Sequence, residues 1–120
     1  MGRVYRAVQR AINAEVAIKV LAVEAAEDPD LAERFVAEAR TANLIRDEGF
    51  VKVLALGTLP DGRPYHVMEH LTGETLADLV ARGPLAMPAA CAIVSELARA
   101  LGVLHAAGVV HRDLKPSNIF

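Results

Sequence analysis

Apolar and polar residues alternate along the first part of the chain with the period of a strand, and later recur with that of a helix. Val4, Arg6 and Val8 fall on one side and Tyr5, Ala7 and Gln9 on the other, which predicts a strand followed by a turn around Asn13. Glu15 to Val23 reads as a second strand, with Val16, Ile18 and Val20 on one face and Ala17, Lys19 and Leu21 on the other. A helix should follow. Pro29 after Asp28 suits a first helical turn, and Asp30 with Glu33 has the spacing of a capping box. Leu31, Phe35, Ala42 and Ile45 form its apolar stripe, with Glu38 in the middle. Phe50 to Thr58 and Tyr65 to Leu71 read as two strands joined by the hairpin loop Leu59-Pro-Asp-Gly-Arg-Pro64.

Beyond Leu71 the strands stop. Thr75 to Arg82 predicts a short helix ended by Gly83 and Pro84, and Pro88 to Ala107 a long one ended by Gly108. Strands with one helix, then helices alone, is the pattern of two lobes joined at about Leu71 to Glu74. Ile93, Val94, Leu97, Leu101 and Leu104 give the long helix an apolar face that the remaining residues are too few to cover. At about 1.5–3 kcal/mol per fully buried side chain, several kcal/mol of burial goes unused there.

Composition then works mainly by exclusion. With 120 residues, 53% apolar and 23% charged, the chain suffices for one small domain whose core buries roughly two-thirds of the extended surface. Thirteen Lys and Arg against fifteen Asp and Glu leave a net charge of −2 without a basic cluster, which argues against nucleic-acid binding through a positive field. The single cysteine, Cys91, excludes an internal disulfide framework and is expected to be a small core residue. His66, His70, His105 and His111 are too scattered for a metal motif, and a reducing, cytoplasmic compartment is the expectation. The opening Met-Gly-Arg-Val-Tyr-Arg has neither the apolar core of a signal peptide nor the Ser or Thr of a myristoylation site. Ala89 to Val110 carries Glu96, Arg99 and His105 and reads as too polar for a membrane span.

The chemistry concentrates in His111-Arg-Asp-Leu-Lys-Pro-Ser-Asn118. This run resembles the catalytic loop of eukaryotic-type protein kinases, in the form with Lys two residues after the Asp that is typical of serine/threonine kinases. Val16-Ala-Ile-Lys19 is similar to the family's strand lysine, and Glu38, within Phe35-Val-Ala-Glu-Ala39, stands where the family places that lysine's partner. Taken alone, Val-Ala-Ile-Lys is an ordinary strand, and Glu38 could equally pair with Arg34 one turn earlier. Gly2-Arg-Val-Tyr5 resembles the end of the glycine-rich loop over the nucleotide phosphates, where glycines let backbone N–H groups come close. Tyr65-His-Val-Met-Glu-His-Leu71 resembles the last small-lobe strand running into the hinge.

The resemblance implies an α+β, two-lobed kinase-like fold: residues 1–71 as an antiparallel small lobe with one helix, 72–74 as the hinge, and 75–120 as the start of a helical large lobe. It implies transfer of the ATP γ-phosphoryl group to a protein Ser or Thr hydroxyl, with Mg²⁺ as the metal. A hydroxyl attacking phosphorus needs a carboxylate to orient it and take its proton, the role implied for Asp113. Lys115 and Lys19 would meet phosphate charge, Glu38 would orient Lys19, and the Asn118 carbonyl would be a magnesium ligand. Met68 would stand behind the adenine, Val4 and Ala17 would pack on its face, and the backbones of Glu69 and Leu71 would hydrogen-bond its edge. His111 and Arg112 would be architectural.

Departures from the family's pattern matter as well. Only the last glycine of G-x-G-x-x-G is present, as Gly2, and Arg46-Asp-Glu-Gly-Phe-Val51 replaces the usual His-Pro-Asn. Ala42, one turn after Glu38, is smaller than the usual packing residue there. The sequence stops at Asn118-Ile-Phe120, before an Asp-Phe-Gly metal-binding segment, so residues 1–120 alone are expected to give no meaningful turnover. Two further readings stay open: a non-catalytic kinase-like module docking a partner on the exposed helix face, and a small-molecule phosphotransferase. Lys115-Pro116 after Asp113 favours the protein substrate. Alanine- and arginine-rich composition suggests a bacterial source.

Overall fold

The computed structural model describes residues 2–45 and 47–120. They fall into two compact units, one of residues 2–45 with 51–70 and the other of residues 47–50 with 71–120. Of the segment that departs from the family pattern, Arg46 lies outside the described residues, as does Met1.

The first unit is a four-stranded antiparallel sheet, β1 (Arg3–Gln9), β2 (Ala14–Val20), β3 (Val53–Thr58) and β4 (Pro64–Glu69), in the order β1-β2-β4-β3. Asn13, at φ +51°, turns β1 into β2 as its polar surroundings predict. In the β3–β4 hairpin the Gly62 N–H donates to the Leu59 carbonyl at 2.9 Å and the Leu59 N–H to the Arg63 carbonyl at 2.8 Å. Gly62 holds φ +88°, a conformation glycine adopts without Cβ strain. Two helices complete the unit: α1 (Val23–Ala26) and α2 (Pro29–Leu44).

Several boundaries differ from the sequence expectation. The second strand ends at Val20, not Val23. The Leu21 N–H donates to the Pro64 carbonyl at 3.1 Å, and the chain then coils into α1, whose Ala25 packs with Leu21 and Phe35 in the buried core. Phe50 and Val51 precede β3 and do not belong to it. The N-cap of α2 is Asp28, whose carboxylate accepts from the N–H groups of Asp30 (2.9 Å) and Leu31 (3.4 Å), so the Asp30–Glu33 spacing does no capping. Leu31 is exposed, because the face that seats α2 is set by Phe35 and Ala39, with Ile45 buried just past its end.

The second unit contains α3 (Leu76–Ala81), α4 (Met87–Ala106) and a 3₁₀ turn at Pro116–Asn118. Thr75 and Asp78 form a reciprocal capping box on α3. The Leu76 N–H donates to the Ile119 carbonyl at 2.8 Å, so α3 backs the 3₁₀ turn. Gly108 ends α4 as predicted: at φ +74° it directs its own N–H to His105 and that of Val109 to the Leu104 carbonyl. Arg99 grips the Asp47 carboxylate with two N–H groups, at 2.8 and 3.2 Å, and reaches Glu96 with a third at 3.0 Å, tying residues 47–50 to α4. The Arg99 guanidinium holds Asp47 below the usual carboxylate range.

On α4, Ala100 and Leu104 are buried, Ile93, Leu97 and Leu101 are half-buried, and Val94 is exposed. Cys91 is also exposed, against expectation. It lies nine residues before Ala100, half a turn around the helix from the buried side. By length and composition alone α4 is long and apolar enough to cross a membrane, which is weak evidence for a span. The core helix of a soluble protein meets the same criterion, and Arg99 and Glu96 in its middle are ion-paired.

Candidate functional site

In the second unit the segment after α4 folds back on a single carboxylate. Arg112 takes φ +62°, a left-handed conformation that costs a long side chain about 1–2 kcal/mol and must be held by its surroundings. The next residue, Asp113, provides the hold: its N–H donates to the His111 carbonyl at 2.9 Å and to His111 Nδ1 at 3.3 Å. Lys115 Nζ donates to both carboxylate oxygens of Asp113, each at 2.9 Å. Pro116 opens the 3₁₀ turn, and the Asn118 N–H closes it on the Lys115 carbonyl at 2.9 Å. That turn brings Asn118 Nδ2 to the Asp113 carbonyl (2.8 Å) and to Asp113 Oδ2 (2.9 Å).

The electrostatic result follows from these donors. Lys115 first and Asn118 second hold the Asp113 carboxyl below its ordinary range, so it is ionised throughout the neutral range. Because Asn118 donates through its amide nitrogen, its carbonyl oxygen is left as an acceptor. The Asp113 side chain is 57% exposed, so the charge faces solvent and not the core. Among the described residues no group of three or more His, Cys, Asp or Glu could hold a metal by itself. The oxygens on offer here are those of Asp113 and the Asn118 amide, hard donors of the kind magnesium takes.

The first unit carries a second cluster. Lys19 in β2 stands opposite Val4 in β1 and His66 in β4, and Ala17 stands opposite Met68. Alternation along the strands therefore puts Val4, Ala17, Lys19, His66 and Met68 on one sheet face. Lys19 Nζ is 3.5 Å from Glu38 Oε2 of α2 and 5.4 Å from the centroid of the Phe35 ring. Phe35 in turn stacks on the His66 imidazole, centroid to centroid 3.8 Å. Thus Glu38 pairs with Lys19, the partner implied by the resemblance and not the alternative Arg34.

The remaining site residues have local roles. The Glu69 N–H donates to the Lys52 carbonyl at 3.1 Å while its side chain accepts from the Lys52 N–H at 2.7 Å, a clamp that fixes the end of β4. Leu71 opens the second unit and is half-buried. At Gly2 a Cβ would collide with the Val20 carbonyl oxygen, so glycine lets β1 start tight against β2. His66 is the residue that sequence reasoning undervalued. Its place two positions before Met68 in a strand was the available signal that it shares the Lys19 face.

Comparison with known proteins places this geometry in context. The protein kinase domain family model matches residues 1–120. The chain is similar to serine/threonine-protein kinase Pkn1 of Myxococcus xanthus, 44% identical over 120 residues, which cover all of this chain and 17% of that protein. It is also similar to serine/threonine-protein kinase PknA of Mycobacterium tuberculosis, 42% identical over 99% of this chain and 29% of that protein. Among solved structures, the PknI kinase domain of M. tuberculosis matches with a TM-score of 0.83 and 29% identity, over 98% of this chain and 48% of that one. The chain therefore spans about half of a solved kinase domain and less than a third of these curated relatives.

Proposed function

Because the chain belongs to the protein kinase family, we propose that it serves the transfer of the ATP γ-phosphoryl group to a Ser or Thr hydroxyl of a protein. The observation that carries this reading is the Asp113–Lys115–Asn118 cluster: one exposed carboxylate kept ionised by a cation two residues away and an amide five residues away. An ionised carboxylate can orient a hydroxyl and take its proton as the oxygen attacks phosphorus. The new P–O bond forms as the bond to the β–γ bridging oxygen breaks, and ADP leaves with that electron pair. Lys115, bonded to the carboxylate, would meet negative charge that develops on the transferring group.

Lys19 is the phosphate contact of the first unit, oriented by Glu38. Val4, Ala17 and Met68, on the same sheet face, offer an apolar surface to the adenine, and the backbones of Glu69 and Leu71 its hydrogen bonds. Asn118, through its carbonyl oxygen, is the residue that would hold Mg²⁺, which when bound neutralises phosphate charge. The lysine two residues after Asp113, together with relatives that are serine/threonine kinases, supports a protein hydroxyl as acceptor.

The test is transfer of labelled γ-phosphate from MgATP to a mixed protein substrate by the full-length gene product, alongside Asp113→Asn. Label on Ser and Thr, abolished by the substitution, is the expected result. Nucleotide binding without any transfer would favour the non-catalytic module, and transfer only to a small alcohol would favour the small-molecule enzyme.

A further inference from the structure

We propose that His66 is a positioning residue for Lys19: uncharged, it seats Phe35 and with it α2, and on protonation it releases Glu38 from Lys19, so that nucleotide binding weakens on acidification. The nucleotide part rests on the phosphotransfer reading; the positioning part does not.

His66 is 3% exposed, and its Nε2 has no hydrogen-bond partner among the described residues. Its ring lies 3.8 Å from that of Phe35, the α2 side chain that also has the Lys19 ammonium 5.4 Å from its centroid. The charged groups that face the imidazole are Lys19 from β2, directly opposite in the ladder, and Glu38 from α2; β3 places Leu56 opposite it. With the proton on Nδ1, the neutral ring leaves at Nε2 only an acceptor lone pair without a donor. A protonated ring must find an acceptor for that N–H while standing as a cation beside a second cation.

Glu38 is the carboxylate on hand. Either it turns from Lys19 to the imidazolium, or the ring leaves its seat and α2 loosens. Both outcomes break the Lys19–Glu38 pair. Burial pushes the His66 pKa down and Lys19 adds to this, while the Phe35 backbone and Glu38 pull it up. The stability that neutral His66 contributes is therefore complete above the unfolded value of about 6.5, and is lost as pH falls toward the lower folded value.

The experiment follows the His66 ring and the Glu38 carboxyl by NMR through an acid titration of the full chain. His66 should titrate below the ordinary histidine range, with an inflection of the Glu38 signal at the same pH. A Glu38 signal indifferent to His66, or a His66 that titrates at or above about 6.5, overturns the proposal. In parallel, binding of a fluorescent ATP analogue with Mg²⁺ is measured near pH 7.5 and near pH 5.5. Phosphates titrate in this range too, so the readout is the difference between the natural chain and His66→Phe, with His66→Met as a second apolar variant should the first not fold. The natural chain should lose about fivefold more affinity than either variant. Equal losses overturn the nucleotide part. If no form binds at either pH while the Glu38 inflection is present, the positioning role stands and the phosphotransfer reading fails.

Discussion

Two lysine–carboxylate pairs are central to the proposed chemistry, and they are built in opposite ways. Lys115 meets Asp113 from two residues away, with two contacts of 2.9 Å supplied by one tight turn. Lys19 meets Glu38 from nineteen residues away, with a single 3.5 Å contact. The first pair needs only a proline-started turn and a left-handed Arg112 to exist. The second exists only while α2 is seated on the sheet through Phe35, Ala39 and His66. A local pair is set by one turn of backbone, whereas a tertiary pair depends on how the helix packs on the sheet.

The largest effect is expected at the local pair. Asp113→Asn keeps the shape of the side chain but removes the charge of the proposed base, and phosphoryl transfer by the full-length protein should fall by about 10²–10⁴-fold with the circular dichroism spectrum unchanged. At the tertiary end, Phe35→Ala empties the seat of α2 and should cost about 3–5 kcal/mol in urea denaturation, while leaving the Asp113 titration where it was. Loss of both together would mean that the two pairs are not independent. Thr75→Ala removes the capping box of α3, which backs the 3₁₀ turn, and should cost about 1 kcal/mol by thermal melting. Glu38→Gln breaks a pair that is half in solvent, so its stability effect should stay within about 1 kcal/mol, yet nucleotide affinity should drop measurably in a binding titration.

The finest test is of charge. Asn118→Ala removes the second donor to Asp113, and the carboxyl titration followed by carbon NMR should move up toward the ordinary aspartate value. The sign of the linked stability follows. The folded Asp113 carboxyl titrates below its unfolded value, so its contribution is complete above about pH 4 and disappears as pH falls through the lowered value. The variant should show a shallower loss over that window. A steeper one would mean that Asn118 does not favour the ionised form.

Several features that act through near neighbours were legible in the sequence, because a turn is decided within a few positions of backbone, whereas the cap of α2 was read two residues late. The Leu59–Pro64 hairpin, the stop of α4 at Gly108 and the Asp113–Lys115–Asn118 run all have this character. Lys19 and Glu38 were legible by resemblance, but their contact was not, since Arg34 offered Glu38 an equally good partner on the same helix. The strand pattern of Leu21 to Val23 was misleading because Leu21 bonds to the Pro64 backbone and Ala25 is drawn into the core with it. Leu31 and Cys91 were misplaced because periodicity locates an apolar stripe but not the rotation at which a helix meets its neighbour. The order of the strands and of the helices other than α1, the hairpin and the carboxylate loop follow from local backbone chemistry and could be read along the chain. The pairing of β4 with β2, which sets His66 against Lys19 and under Phe35, comes from long-range packing. Register is a long-range choice, made by the packing of whole faces and not by any one residue.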